Sequence, residues 1–188
     1  MENPNSKNAF LTLDLQAGIL SMIPGAEAVL TKAADAVEAA RRAGFLIIHV
    51  GLGFNEGYPE IGPPESPMQR IKQNNLFVIG TPSAAIHPAV FRPGELVVHK
   101  QRVGAFSENQ LQLILRARGI ERLALCGVVT SGVVLSTVRR AFDLDFRLTV
   151  VKDGCFDRDP EVHRVLTEKV FPGQAKVVTA EEFVASPL

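Results

Sequence analysis

The sequence predicts an α/β fold: a mostly parallel sheet covered by helices on both faces. Two observations carry this prediction. Six short runs rich in Val, Ile, Leu and Phe recur along the chain and mostly do not alternate with polar residues, as strands buried on both faces do. Helical periodicity fills most of the intervals, and strand–helix alternation implies right-handed crossovers between parallel strands. The length of 188 residues fits one domain over 1–188, with a long excursion at about 51–94.

The elements follow in order. Ala9–Leu13 is the first strand and stops at Asp14. Ala26, Val29, Leu30, Ala33, Val37 and Ala40 repeat at helical spacing, and Gly44 stands where a C-terminal glycine cap belongs. Phe45–Val50 and Leu96–Val98 are the second and third strands. Ser107-Glu-Asn-Gln110 reads as a capping box for a helix that Gly119 closes. Arg122–Cys126 is the fourth strand, and Val134, Leu135, Val138, Ala141 and Phe142 mark the buried face of the next helix. Leu148–Val151 is the fifth strand. Asp159-Pro160 opens a helix that ends before Pro172-Gly173. Lys176–Val178 is the sixth strand, and Thr179-Ala-Glu-Glu182 is a second capping box.

Gly51 to Gly94 breaks this rhythm, with seven of the twelve prolines and six glycines. Structureless connections of this length are uncommon and often functional. The segment is expected to wall a binding site or to offer Phe54, Tyr58, Ile61 and Phe77 to a second copy of the chain.

Composition excludes several classes. Hydrophobic residues make up 46% and charged residues 21%, which is globular. Lys+Arg and Asp+Glu both number 20, so the basic excess that phosphate binding favours is missing and no nucleic-acid partner is expected. Two cysteines, Cys126 and Cys155, are too few for a disulfide framework, so a reducing cytoplasm is expected. Met1 to Asn8 is polar and lacks the apolar core of a signal peptide. No apolar run approaches the roughly 20 residues of a membrane span, so no membrane partner is expected.

Familiar ligand motifs fail in detail. Gly51-Leu-Gly53 follows a strand, but Glu56 replaces the third glycine of a dinucleotide fingerprint. Gly127 to Gly132 has the glycine spacing of a phosphate loop, yet Val133-Val134 stand where Lys-Ser/Thr belong. The histidines His49, His87, His99 and His163 show no short ligand spacing, so no metal or other cofactor is expected. Cys126 ends an apolar run and reads as a small core residue, whereas Cys155 could reach a site rim.

Three features remain at strand ends, where open parallel sheets bind ligands. Asp14 ends the first strand, and Lys100 follows the third. The turn Gly127-Val-Val-Thr-Ser-Gly132 joins the fourth strand to a helix whose first N–H groups suit a carboxylate or oxyanion. Thr130 and Ser131 are read mainly as caps of that helix, since no histidine is placed to activate either by spacing alone.

These segments resemble a known family. Phe10-Leu-Thr-Leu-Asp-Leu-Gln16, Lys100-Gln-Arg-Val-Gly-Ala-Phe106 and Gly127-Val-Val-Thr-Ser-Gly-Val-Val-Leu-Ser-Thr-Val-Arg139 are similar to the first-strand, lysine and nucleophile-turn segments of the isochorismatase-like hydrolases. That superfamily also holds nicotinamidases and carbamoylsarcosine hydrolases. The resemblance runs from about Ala9 to Thr179. It implies a three-layer, doubly wound, six-stranded parallel sheet, a homodimer or larger assembly, and a cis peptide at Val128–Val129.

One departure matters. Members with a cysteine nucleophile carry Asp, Lys and Cys, and the position matching that cysteine is Val133. Valine cannot attack a carbonyl, so the thiol mechanism cannot operate unchanged. Isochorismatases also lack the cysteine and hydrolyse a vinyl ether, with the first-strand aspartate in proton transfer. The resemblance therefore implies Asp14 as acid/base and Lys100 as its electrostatic partner. A nearby lysine lowers a carboxylate pKa, which favours a base unless burial offsets it. Val129, Ser131 and Val133 would form the anion or oxyanion cradle, and Gln16, Phe54, Tyr58 and Phe106 are pocket candidates. Nicotinamidases hold a metal through Asp-x-His after the second strand, where this chain has Gly51-Leu-Gly-Phe-Asn-Glu56, so no metal is implied.

The expected activity is hydrolysis of a small anionic metabolite without a cysteine nucleophile. The alternatives are an amidase using Ser131 or Cys155, and a non-catalytic metabolite-binding homo-oligomer.

Overall fold

All six apolar runs form strands. In the computed structural model, which describes residues 7–187, they are β1 (Asn8–Leu13), β2 (Leu46–Leu52), β3 (Leu96–Lys100), β4 (Arg122–Val128), β5 (Arg147–Phe156) and β6 (Lys176–Val178). Residues 1–6, most of the polar stretch read as lacking a signal-peptide core, lie outside the described residues. The strands pair in parallel in the order β3-β2-β1-β4-β5-β6. Strand order therefore reverses between β1 and β4. Right-handed crossovers running outward in both directions place helices on opposite faces, and a crevice opens at the switch point beyond the carboxyl ends of those two strands. Every residue of β1 is buried, as its unbroken apolar run predicts.

The helices are α1 (Ala17–Met22), α2 (Leu30–Arg42), α3 (Gln69–Gln73), α4 (Leu111–Ala117), α5 (Leu135–Asp143), α6 (Pro160–Val165) and α7 (Ala180–Ala185). Among the described residues, no helix is long and apolar enough to cross a membrane. Gly44, at φ 80°, ends α2 with the paired bonds Phe45 N–H to Ala40 O and Gly44 N–H to Arg41 O. Asp159 caps α6 by accepting from the Glu161 and Val162 N–H groups, and Thr179 and Glu182 form the expected box on α7.

Two expectations need correction. The Ser107 box does not form: Glu108 takes φ 50°, Asn109 Oδ1 accepts from the Leu111 N–H, and α4 begins only there. The side-chain bond of Asn109 offers the backbone a turn in place of a first helical turn. Phe142 is 46% exposed, so the buried stripe of α5 is carried by Thr137, Val138 and Ala141.

The excursion does not present outward the four apolar residues expected at a contact, although Ile79 is 44% exposed. Phe54, Tyr58, Ile61 and Phe77 bury themselves with Leu52 in a satellite core, and the Tyr58 hydroxyl donates to Leu76 O. They are thus unavailable for the contact between copies expected of them. Within so long a connection, burying apolar groups against one another offsets the entropy of ordering the loop.

Gly127 fixes the relation between the sheet and the site. It pairs with Leu13 across β4 and β1, and a Cβ there would run into the Leu13 carbonyl oxygen. Gly127→Ala is expected to destabilise the protein by about 3 kcal/mol, read as a lower midpoint in chemical denaturation.

Candidate active site

Asp14 follows β1 directly, in the left-handed region at φ 55°, with its N–H bonded to Val50 O. Aspartate tolerates this conformation better than most residues. It turns the chain at the switch point. Lys100 is the last residue of β3 and pairs with Leu52, so its long side chain must cross the end of β2 to reach β1. Lys100 Nζ lies 2.9 Å from Asp14 Oδ2 and also donates to the Arg102 carbonyl at 3.0 Å. Both residues are buried, with Lys100 only 1% exposed.

The partners are unequal. Asp14 Oδ1 is buried and has no hydrogen-bond partner among the described residues. Burial pushes the Asp14 carboxyl up to about 6, and the charge and hydrogen bond of Lys100 only partly oppose it. Burial therefore wins over the lysine, and Asp14 can change protonation near neutrality.

Asp14 and Lys100 share a cavity of about 260 Å³ with Val128, Val129, Gly132 and Val133. Ile19, Ile23, Leu52 and Met68 complete its apolar wall, and Arg102 and Val103 lie at its exposed side. The Val128–Val129 peptide is cis, and Thr130–Val134 forms one π-helical turn leading into α5. Val133 thus presents a methyl-bearing side chain to the chamber that Asp14 lines.

The cradle expected of this turn is not open at Ser131. The Ser131 N–H donates to Asp157 Oδ2 at 2.7 Å, and the Gly132 and Val134 N–H groups donate back to Val129 O. Val129 and Val133 line the cavity; Ser131 is exposed and does not. Nor do Thr130 and Ser131 cap the helix by their side chains. Thr130 Oγ1 lies instead 2.9 Å from His163 Nδ1, fully buried. Asp157 and His163, from beyond β5 and from α6, therefore brace the turn. Sequence spacing carried no signal for either, because each reaches the turn only through the packing of β4 beside β5.

The pocket candidates divide. Gln16 is fully buried as a clamp: it donates to Leu52 O and Ala84 O and accepts from the Leu52 N–H, tying β2 to the excursion. Gly51 makes room for it, since a Cβ there would sit 2.6 Å from the Gln16 amide carbon. Phe54 and Tyr58 belong to the satellite core and do not reach the Asp14 cavity. Phe106 lines a neighbouring cavity. Cys126 and Cys155 are both buried and line neither space. Burial pushes the Cys155 thiol up to about 12 and raises Cys126 as well. Cys155 donates to Val151 O within its own strand, away from the rim position expected for it. Among the described residues, no group of three or more His, Cys, Asp or Glu side chains converges to hold a metal.

The family model for the isochorismatase domain matches residues 8–182.

The chain belongs to the isochorismatase family.

Relatives bear this out. The chain is 35% identical over 153 residues to the ureidoacrylate amidohydrolase RutB of Azorhizobium caulinodans, covering 74% of this chain and 67% of that protein. It is 30% identical to the uncharacterized isochorismatase family protein YecD of Escherichia coli O157:H7, covering 94% of each. A solved isochorismatase family protein from Burkholderia thailandensis superposes with a TM-score of 0.80 at 26% identity, covering 96% of this chain and 95% of that one. The N-carbamoylsarcosine amidase of Thermoplasma acidophilum shares the fold, with a TM-score of 0.72 at 23% identity, covering 93% of this chain and 97% of that one. The protein is thus a hydrolase of the isochorismatase-like family.

Membership makes Val133 testable. A thiol introduced there would stand near Lys100, which lowers its pKa, whereas both native thiols are held protonated by burial. Val133→Cys should alkylate roughly tenfold faster than either native cysteine, with rates compared across pH by mass spectrometry. Reaction no faster than that of Cys126 or Cys155 would show that the turn does not activate a thiol.

Proposed function

We propose that the protein hydrolyses a small anionic metabolite without a cysteine nucleophile, with Asp14 as acid/base and Lys100 as its electrostatic partner. The observation that supports this most is the buried Oδ1 of Asp14, without a hydrogen-bond partner among the described residues, beside an apolar chamber lined by Val133. A water against Oδ1 gives its proton to the carboxylate as its oxygen attacks the electrophilic carbon. The carboxyl then returns that proton to the leaving atom. One product gains the hydroxyl and the other the proton, and no covalent enzyme intermediate is needed. A carboxyl near 6 can both take and return the proton at neutral pH. Lys100 holds Oδ2, so Oδ1 is the oxygen left for the water.

The relatives named ureidoacrylate amidohydrolase make amide and N-carbamoyl compounds the first to screen, beside vinyl ethers. Turnover of one such compound is expected to survive thiol alkylation and to fall roughly 10²–10⁴-fold in Asp14→Asn. For an amide or N-carbamoyl compound the carboxylate form starts the reaction, so kcat/KM should rise with pH through about 6 and then level. A vinyl ether must first be protonated on carbon, so with it kcat/KM should fall above about 6. Lys100→Met should move either limb to higher pH, since the cation holds the carboxyl down. Loss of activity on alkylation would overturn the reading. So would saturable binding of the screened compounds without turnover, which would favour a non-catalytic binder.

We also infer a homodimer or larger assembly. Support comes from large apolar side chains left exposed on helix surfaces, including Leu113 and Phe142. Sedimentation at micromolar concentration tests it, and a monomer overturns it.

A further inference from the structure

A second cavity, of about 550 Å³, adjoins the Asp14 chamber and shares Met68, Arg102 and Val103 with it. Its chemistry differs. Arg102 and Arg140 line it together with Ser107 and Ser136, and no carboxylate does. Arg102 donates only to carbonyl oxygens, those of Gln101 and Glu60, so its charge has no acidic partner among the described residues. Arg140 makes no ion pair among the described residues either, whereas Arg41, Arg92, Arg147 and Arg164 all do. Among the described residues, neither serine hydroxyl makes a hydrogen bond. The cavity therefore gathers two guanidinium groups and two hydroxyls around space that holds no negative charge.

The fold places these groups deliberately close. Ser136 and Arg140 stand four residues apart on α5 and so share one helix face. The loop carrying Arg102 crosses the start of that helix at Gly104, where a Cβ would sit 3.2 Å from Ser107 Oγ and 3.5 Å from Ser136 Cβ. The Ala105 N–H donates to Thr137 Oγ1, which pins the loop to α5. Phe106 gives this chamber an apolar floor, stacked on Phe146 with ring centroids 6.2 Å apart.

We propose that this outer chamber is an anion subsite, and that it holds a carboxylate or phosphate on the substrate whose reacting end lies in the apolar chamber against Asp14. The assignment of the reacting end rests on the function proposed above. Guanidinium groups bind both anions through paired N–H donors, and the two serine hydroxyls add further donors. The inner chamber supplies burial for an apolar body; its lysine is committed to Asp14, and Arg102, the cation it shares with the outer chamber, stands on its exposed side. The substrate class is therefore a small molecule with an apolar reacting portion and one terminal acidic group.

Binding of three probes tests this by isothermal titration at low salt: phenylacetate, phenylphosphonate and the neutral benzyl alcohol. The first two separate carboxylate from phosphate-like recognition, and at least one should bind saturably and about tenfold more tightly than benzyl alcohol, the worth of one charge-assisted hydrogen bond. Arg140→Gln and Arg102→Gln should each weaken the acid about tenfold and leave benzyl alcohol unchanged, with Arg140→Lys recovering part of the loss. Arg102→Gln keeps the backbone carbonyl that Lys100 uses, so the ion pair is undisturbed. Rising salt should weaken the acids alone. Acids that bind no better than the alcohol, or that lose nothing in both arginine variants, would overturn the subsite. Asp14→Asn separates the two proposals: acid binding that persists in it while turnover disappears supports both. Turnover that persists in Asp14→Asn while the arginine variants lose the acids would overturn the catalytic reading and leave the subsite standing.

Discussion

The ion pair between Asp14 and Lys100 is the constraint on which the carboxyl edge of the sheet depends. A lysine that is 1% exposed cannot keep its charge without a partner, because the cost of removing an ammonium from water is several kcal/mol. Asp14 supplies that partner with one oxygen and retains the other. The same burial that makes the pair obligatory also raises the aspartate, so one geometry both holds the lysine and tunes the acid. The apolar walls, Val133 among them, are part of this balance. They shield Oδ1 from bulk solvent and so maintain the burial that sets its pKa. A cysteine at the Val133 position would add a nucleophile, which valine cannot supply.

The walls are held by residues that never face the cavity. Gln16 ties the end of β2 to the excursion through three hydrogen bonds. Gly127 allows β4 to approach Leu13, which brings the turn carrying Val129 and Val133 beside Asp14. Asp157 and His163 then brace that turn from the far side. Each contact joins elements distant in sequence. The site is consequently held where strands end, and its exposed side carries Arg102 and Val103, which it shares with the outer chamber.

The excursion shows how the same composition can serve a different end. Its apolar residues were expected on a surface between copies. They form their own core instead, and what reaches the site from this segment is Met68, along with the carbonyl of Ala84 that anchors Gln16. Surfaces open to another copy lie elsewhere, on helices such as α4 and α5.

The sequence by itself determined the fold class, the six strands and the two residues of the ion pair. Unbroken apolar runs report strands buried on both faces, and the end of such a run marks the sheet edge where charge can survive. Caps at Asp159 and Thr179 were legible because their donors lie two or three residues away in the chain. Only the tertiary structure decided which oxygen of Asp14 is free, that burial outweighs Lys100, that the Ser131 N–H is occupied, and that Arg102 and Arg140 share a cavity. These depend on residues far apart in sequence meeting across strands. Local spacing is blind to such meetings, because burial and partner geometry exist only once the strands have been ordered and the helices laid across them.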